Sequence, residues 1–172
     1  MSTMRWRPLA GLALLILSLP ARPQTETAQT TWMGAVTYVV DGDTVHVMPA
    51  EGGEIHKIRM LGMDAPEICQ AGGAAAKQAL QERVLKRSVT VRMQGMDVYG
   101  RDLATIYLSR EDVGEWMVRR GHAWSYRYRQ DPGPYGQEES NAKLLGRGLF
   151  ADMSPEYPQN FRRRYGRCAY RH

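Results

Sequence analysis

From Trp32 onward the chain alternates. Val36, Tyr38 and Val40 share one parity before the turn Asp41-Gly42-Asp43, and Val45 and Val47 alternate after it. A period of two on both sides of a tight turn predicts two short strands within residues 32–48. Glu51-Gly52-Gly53-Glu54 is a second turn, and residues 55–61 (IHKIRML) read as a third strand, completing a meander. The period then changes. Ala76, Leu80 and Val84 recur at helical spacing while Lys77, Gln81, Glu82 and Arg83 occupy other faces, which predicts an amphipathic helix over 74–87. Val89, Val91 and Met93 alternate again as a fourth strand, and residues 103–108 (LATIYL) make a fifth. Asp112 is placed to cap a helix over 113–120 that Gly121 ends, and a last helix fits 137–145, ending near Gly146.

Five short strands with a helix between the third and fourth follow the order of an OB-fold barrel, a scaffold that often binds oligonucleotides. The expected class is α+β, a five-stranded OB-fold β-barrel with three α-helices. A fold does not carry a function by itself. The length, 172 residues, suits one compact domain with flanking segments. With 43% hydrophobic and 24% charged residues, the composition excludes a collagen-like or low-complexity body.

The flanks change the picture. Arg5 and Arg7 precede an uncharged run over 9–21 (LAGLALLILSLPA), followed by the polar RPQTETAQTT. That is the layout of a secretory signal, and the run falls short of the about 20 residues a membrane span needs. Leu19 departs from the small residue preferred before a cut at Ala21, so an uncleaved membrane anchor over 9–21 is the alternative to export. The expected organisation is a signal over 1–21, a polar linker over 22–31, the barrel domain over 32–153 and a basic tail over 154–172. The expected location is periplasmic or secreted.

Charge is unevenly distributed. Of the net +5, Arg5 and Arg7 supply +2; Arg162, Arg163, Arg164, Arg167 and Arg171, with no acid after residue 159, supply +5; the body 22–159 is left at −2. A protein that held nucleic acid mainly by counterion release would be more basic than this body. The tail arginines either hold phosphate backbones or form a solvated end. The two cysteines, Cys69 and Cys168, are an even pair that an exported protein oxidises to a disulfide. Such a bond closes a loop of about 100 residues and contributes roughly 4–5 kcal/mol in the chain-entropy view. Two free thiols are the alternative.

Three loops carry candidate chemistry. Asp41-Gly42-Asp43 is first a turn signal. It is not an EF-hand, because the sixth position from Asp41 is His46 and the twelfth is Gly52. In the run from Arg59 to Glu67, Arg59 stands on a strand, Asp64 and Glu67 stand in the loop beyond it, and Pro66 stiffens the corner. Asp97-Val98-Tyr99-Gly100-Arg101 is a turn leading into the fifth strand. Each alone reads as a turn or a surface ion pair. Together they assemble hard oxygen donors for Ca²⁺ in Asp43 and Asp64, planar phosphate-binding cations in Arg59 and Arg101, and a proton acceptor in Glu67. Those are the needs of in-line attack on a phosphodiester.

At these residues the sequence resembles the staphylococcal nuclease family. The likeness runs over residues 36–150: D-G-D-T-V at 41–45, R-x-L-x-x-D-x-P-E at 59–67, D-x-Y-G-R-x-L-A at 97–104, V-R-x-G at 118–121 and A-K-x-x-x-x-G-L-F at 142–150. The resemblance implies a calcium-dependent endonuclease on DNA, and by extension RNA, that leaves 3′-phosphate ends. By position it makes Asp43, Asp64 and the Ala65 carbonyl the Ca²⁺ ligands, with Asp41 shaping their loop. It makes Arg59 and Arg101 the transition-state arginines, Glu67 the residue that activates or orients water, and Tyr99 part of the nucleotide pocket. Tyr126 or Tyr128 is expected to stack on a base. Ala65 stands where a threonine is common in the family, and Val98 where its founding member has a lysine. The expected partner is nucleic acid alone, with a monomeric chain. A non-catalytic nucleic-acid-binding module on the same barrel is the competing reading; degenerate copies of that kind lose acids or arginines that this chain retains.

Overall fold

The computed structural model describes residues 30–168. The expected signal over 1–21 and most of the expected linker therefore lie outside the described residues. Five strands build the barrel: β1 (Thr31–Val39), β2 (Thr44–Pro49), β3 (His56–Met60), β5 (Ser88–Met96) and β6 (Asp102–Leu108). Two-residue strands β4 (Met63–Asp64), β7 (Glu111–Asp112) and β8 (Trp124–Ser125) trim its rim. Antiparallel pairing runs β3-β2-β1-β5-β6, and a parallel pairing of β3 with β6, Arg59 opposite Leu103, closes the ring. The OB-type barrel expected from the pattern is present.

Inside it lie Val36, Val45, Val47, Ile58, Val91 and Ile106, all at most 1% exposed. The expected parity fails in one place. β1 and β2 lose register between Val36 and Tyr38, so one extra residue enters β1. Beyond such a bulge the inward parity reverses: Val39 is buried, while Tyr38 is exposed.

Helix α1 (Gly73–Val84) lays Ala76, Leu80 and Val84 on the barrel, the stripe the spacing predicted. Gly73 fits there because a Cβ would meet the Glu67 carbonyl at 1.9 Å, so the helix start is pressed against the loop bearing Glu67. Helix α2 (Val113–Arg119) is capped as expected. Asp112 Oδ1 accepts the amides of Gly114 at 2.8 Å and Glu115 at 3.2 Å, and Asp112 Oδ2 accepts the Tyr135 hydroxyl at 2.9 Å. Helix α3 (Gly136–Leu144) and a 3₁₀ turn (Gly148–Ala151) follow.

The described residues hold a fourth helix beyond the three expected, α4 (Pro158–Tyr165). Pro158, Phe161 and Tyr165 recur at helical spacing beside the run Arg162, Arg163 and Arg164, Phe161 meeting Tyr165 at 5.0 Å, and non-local contacts hold the segment in place. Tyr157 meets Trp124 edge-on at 5.7 Å, Gln70 Nε2 donates to the Glu156 carbonyl at 2.6 Å, and Cys168 is disulfide-bonded to Cys69.

Candidate active site

The site stands on one rim of the barrel and is assembled from three loops and α4. The turn after β1 supplies Asp41 and Asp43, whose backbone is shaped by a hydrogen bond from the Asp43 amide to Asp41 Oδ1 at 3.1 Å. Gly42 between them is pressed into the interior: a Cβ there would sit 2.7 Å from the Ala65 Cβ and 2.9 Å from the Ala76 Cβ. The turn is thereby seated on both the second loop and α1. Asp43 points inward. Its Oδ1 accepts the Thr44 hydroxyl at 3.0 Å, and its Oδ2 accepts the Ala65 amide at 3.1 Å.

Arg59, near the end of β3, bridges the two buried acids. Its Nη1 lies 2.9 Å from Asp43 Oδ2 and its Nη2 donates to Asp64 Oδ1 at 3.1 Å. Nη1 also donates to the carbonyls of Met60 and Met63, at 3.1 and 3.3 Å. Asp64 is fully buried on β4, opposite Trp124 of β8. Arg101 enters from the turn before β6. Its Nε donates to Asp97 Oδ2 at 2.7 Å and its Nη1 reaches the Thr44 hydroxyl at 3.5 Å, so it faces the same turn as Asp43.

A cavity of about 650 Å³ connects these groups. Asp43, Arg59, Glu67 and Arg101 line it together with Arg162 and Arg167. Ala65, Tyr99 and Tyr126 also line it, whereas Tyr128 does not; Tyr128 lies in an exposed turn bridged to Asp131. Asp64 does not line the cavity; it is buried and reaches it through its ion pairs with Arg59 and Arg162.

From β3 to the end of the 3₁₀ turn, the family profile described as staphylococcal nuclease homologue matches residues 57–152, more than half of the chain. The chain belongs to the staphylococcal nuclease homologue family. A Haemophilus influenzae protein named as an uncharacterized endonuclease is 37% identical over 129 residues, 74% of this chain and 71% of its own. Micrococcal nuclease of Shigella flexneri is 30% identical over 168 residues, 91% of each chain. Protein ParB of Escherichia coli is 32% identical over 170 residues, 91% of this chain and 90% of its own.

In this staphylococcal nuclease homologue acids and cations alternate at the rim: Asp41, Asp43, Asp64, Glu67 and Asp97 stand with Lys57, Arg59, Arg101, Arg162 and Arg167. Burial pushes the Asp43 carboxyl up to about 8, and the Asp41 and Asp64 anions push the same way against Arg59. Burial opposes the charge of Arg59, but Asp43, Asp64 and Asp41 outweigh it and hold the guanidinium above its ordinary value. Among the described residues no three His, Cys, Asp or Glu side chains gather into a metal site. A cation on Asp43 and Asp64 would therefore complete its sphere with backbone carbonyls and water, a donor set that suits Ca²⁺. Two hard carboxylates joined through Arg59 at one rim fit that ion.

Asp97 serves Arg101. Burial would raise its carboxyl, but the Arg101 amide, the Arg101 guanidinium and the Tyr99 amide hold it below the usual range. Sequence reasoning singled out neither Arg162 nor Arg167 as a site residue. Arg162 Nη1 and Nη2 donate to the two Asp64 oxygens at 3.1 and 2.9 Å, and Nη1 also donates to Glu67 Oε1 at 3.1 Å. Arg167 stacks on the Tyr99 ring at 4.4 Å. The available signal was the paired cysteines, because a Cys69–Cys168 bond brings the arginine run to within reach of Glu67.

Proposed function

We propose that this chain is a calcium-dependent endonuclease that hydrolyses phosphodiesters in DNA and RNA and leaves 3′-phosphate ends. The observation that carries the reading is one cavity lined by Asp43, Arg59, Glu67 and Arg101, with the buried Asp64 ion-paired to Arg59. Each group has a task in attack by water on phosphorus. Arg59 is held between two carboxylates and two carbonyls at the cavity wall, which fixes the position of its guanidinium. Arg101 is braced by Asp97 and faces it from the other side. Donors from both sides stabilise the charge that accumulates on the non-bridging oxygens as the bond to the 5′ oxygen breaks. Glu67 accepts a proton from, or orients, the attacking water.

Asp43, Asp64 and the Ala65 carbonyl are the groups that would hold Ca²⁺, with Asp41 fixing the turn that presents Asp43. When bound, Ca²⁺ supplies Lewis-acid stabilisation of phosphate charge. Tyr126 offers an aromatic face to bases, and Tyr99 would do so once Arg167 leaves its ring; such stacking binds with little sequence preference. The disulfide suits an oxidising compartment and supports the reading of an exported protein. The chain is proposed to act as a monomer without an obligate protein partner.

The test is digestion of single-stranded DNA and RNA by the chain lacking residues 1–21, with millimolar Ca²⁺ or with chelator. Cleavage only with Ca²⁺, producing ends that a 3′-phosphatase converts to extendable termini, is the expected outcome. Folded protein that retains DNA without cutting it would move the assignment to a non-catalytic binding module.

A further inference from the structure

Arg162 occupies the groups that the proposed nuclease would use for metal and water. Its two terminal nitrogens engage both carboxylate oxygens of Asp64, and one of them also engages Glu67. Bidentate guanidinium–carboxylate contacts of this kind are charge-assisted and directional. Arg162 stays charged because Asp64 and Glu67 outweigh the cost of its burial. A divalent cation ligated by Asp64 needs an oxygen that Arg162 covers, and two cations a few ångströms apart repel one another in a poorly solvated pocket.

The segment that carries Arg162 is tied down on every side. The Cys69–Cys168 bond anchors it two residues beyond Glu67. Gln70 holds the Glu156 carbonyl at 2.6 Å, Tyr157 packs on Trp124, and Arg167 covers Tyr99 at the cavity wall. The Arg162 side chain is itself 25% exposed on a flexible stem, so its guanidinium can swing away while α4 stays docked.

We propose that residues 154–168 form a self-inhibitory strap in which Arg162 takes the place of the divalent cation, and that cation binding displaces it. This rests on the nuclease reading above. The disulfide sets the strap's strength by raising the effective concentration of Arg162 at Asp64, as any short intramolecular tether does. The apparent cation affinity is then the intrinsic affinity reduced by the fraction of molecules whose strap is open.

The experiment is calorimetric titration of the chain with Ca²⁺, comparing wild type, Arg162→Gln and the exposed neighbour Arg163→Gln, each oxidised and reduced, with folding checked by circular dichroism. With the strap closed in about nine molecules of ten, Arg162→Gln binds Ca²⁺ about tenfold more tightly than wild type, and Arg163→Gln binds as wild type does. Reduction tightens binding by wild type and leaves Arg162→Gln unchanged. Equal or weaker binding by Arg162→Gln overturns the strap while leaving the Ca²⁺ site of the nuclease reading intact. Unchanged affinity of wild type on reduction overturns it independently of any variant. Failure of all three proteins to bind Ca²⁺ overturns both the strap and the calcium-dependent nuclease.

Discussion

Arg101 is held by Asp97, its i−4 neighbour, at both backbone and side chain: the Arg101 amide donates to Asp97 Oδ1 at 2.9 Å and its Nε to Asp97 Oδ2 at 2.7 Å. One carboxylate thus closes the turn and aims the guanidinium.

Asp97→Ala is therefore expected to lower kcat by about ten- to a hundredfold, the scale that small misplacements of a reacting group produce. Ca²⁺ affinity should not change, because Asp97 touches neither Asp43 nor Asp64. Steady-state kinetics beside calorimetric Ca²⁺ binding separates the two; a parallel loss of Ca²⁺ affinity would show that Asp97 belongs to the metal pocket.

Glu67→Gln and Arg101→Ala should each reduce turnover by about 10²–10⁴-fold. Both side chains line the cavity and neither belongs to the barrel interior. The melting temperature should accordingly move little. Single-turnover cleavage and a thermal melt check this, and near-normal activity in either variant rejects the role assigned to that residue.

Cys168→Ser combined with Cys69→Ser should cost roughly 2–5 kcal/mol of stability, the usual range for loss of a native disulfide. The bond spans 99 residues, so its removal enlarges the unfolded ensemble as well as freeing the tail. A urea midpoint equal to that of the oxidised wild type would contradict the prediction.

Asp112→Ala removes the α2 cap and strands the Tyr135 hydroxyl, whose titration burial and the Asp112 charge push far upward. The expected loss is about 2–3 kcal/mol, a capping contribution plus an unsatisfied buried hydroxyl. Tyr135→Phe, which removes only the hydroxyl, should cost about 1 kcal/mol. The double variant should cost less than the two singles together, because both act on one contact. Denaturant titration of the three proteins reads this directly; full additivity would rule out the coupling.

Local patterns determined most of this barrel. Alternation marked β1, β2 and β5, short apolar runs beside turns marked β3 and β6, the Ala76–Leu80–Val84 stripe marked α1, and Asp112 marked the start of α2, because strand parity, helical spacing and caps are written within a few residues. The charged groups Asp43, Arg59, Asp64, Glu67 and Arg101 were legible only in combination and through the family resemblance, since each loop alone reads as a turn or a surface ion pair. The bulge in β1 was not legible, since the extra residue arises from pairing with β2 and leaves no mark in the alternation of β1 itself. Nor were α4 and Arg162. Tyr157, Phe161 and Tyr165 are a short helical signal beside a run of arginines, but where the segment docks follows from a disulfide, an aromatic contact and two carboxylates drawn from elsewhere in the chain. Tertiary structure alone decided that the basic tail closes over Asp64 and Glu67, because opposite charges nearly a hundred residues apart attract only after the barrel has brought them together.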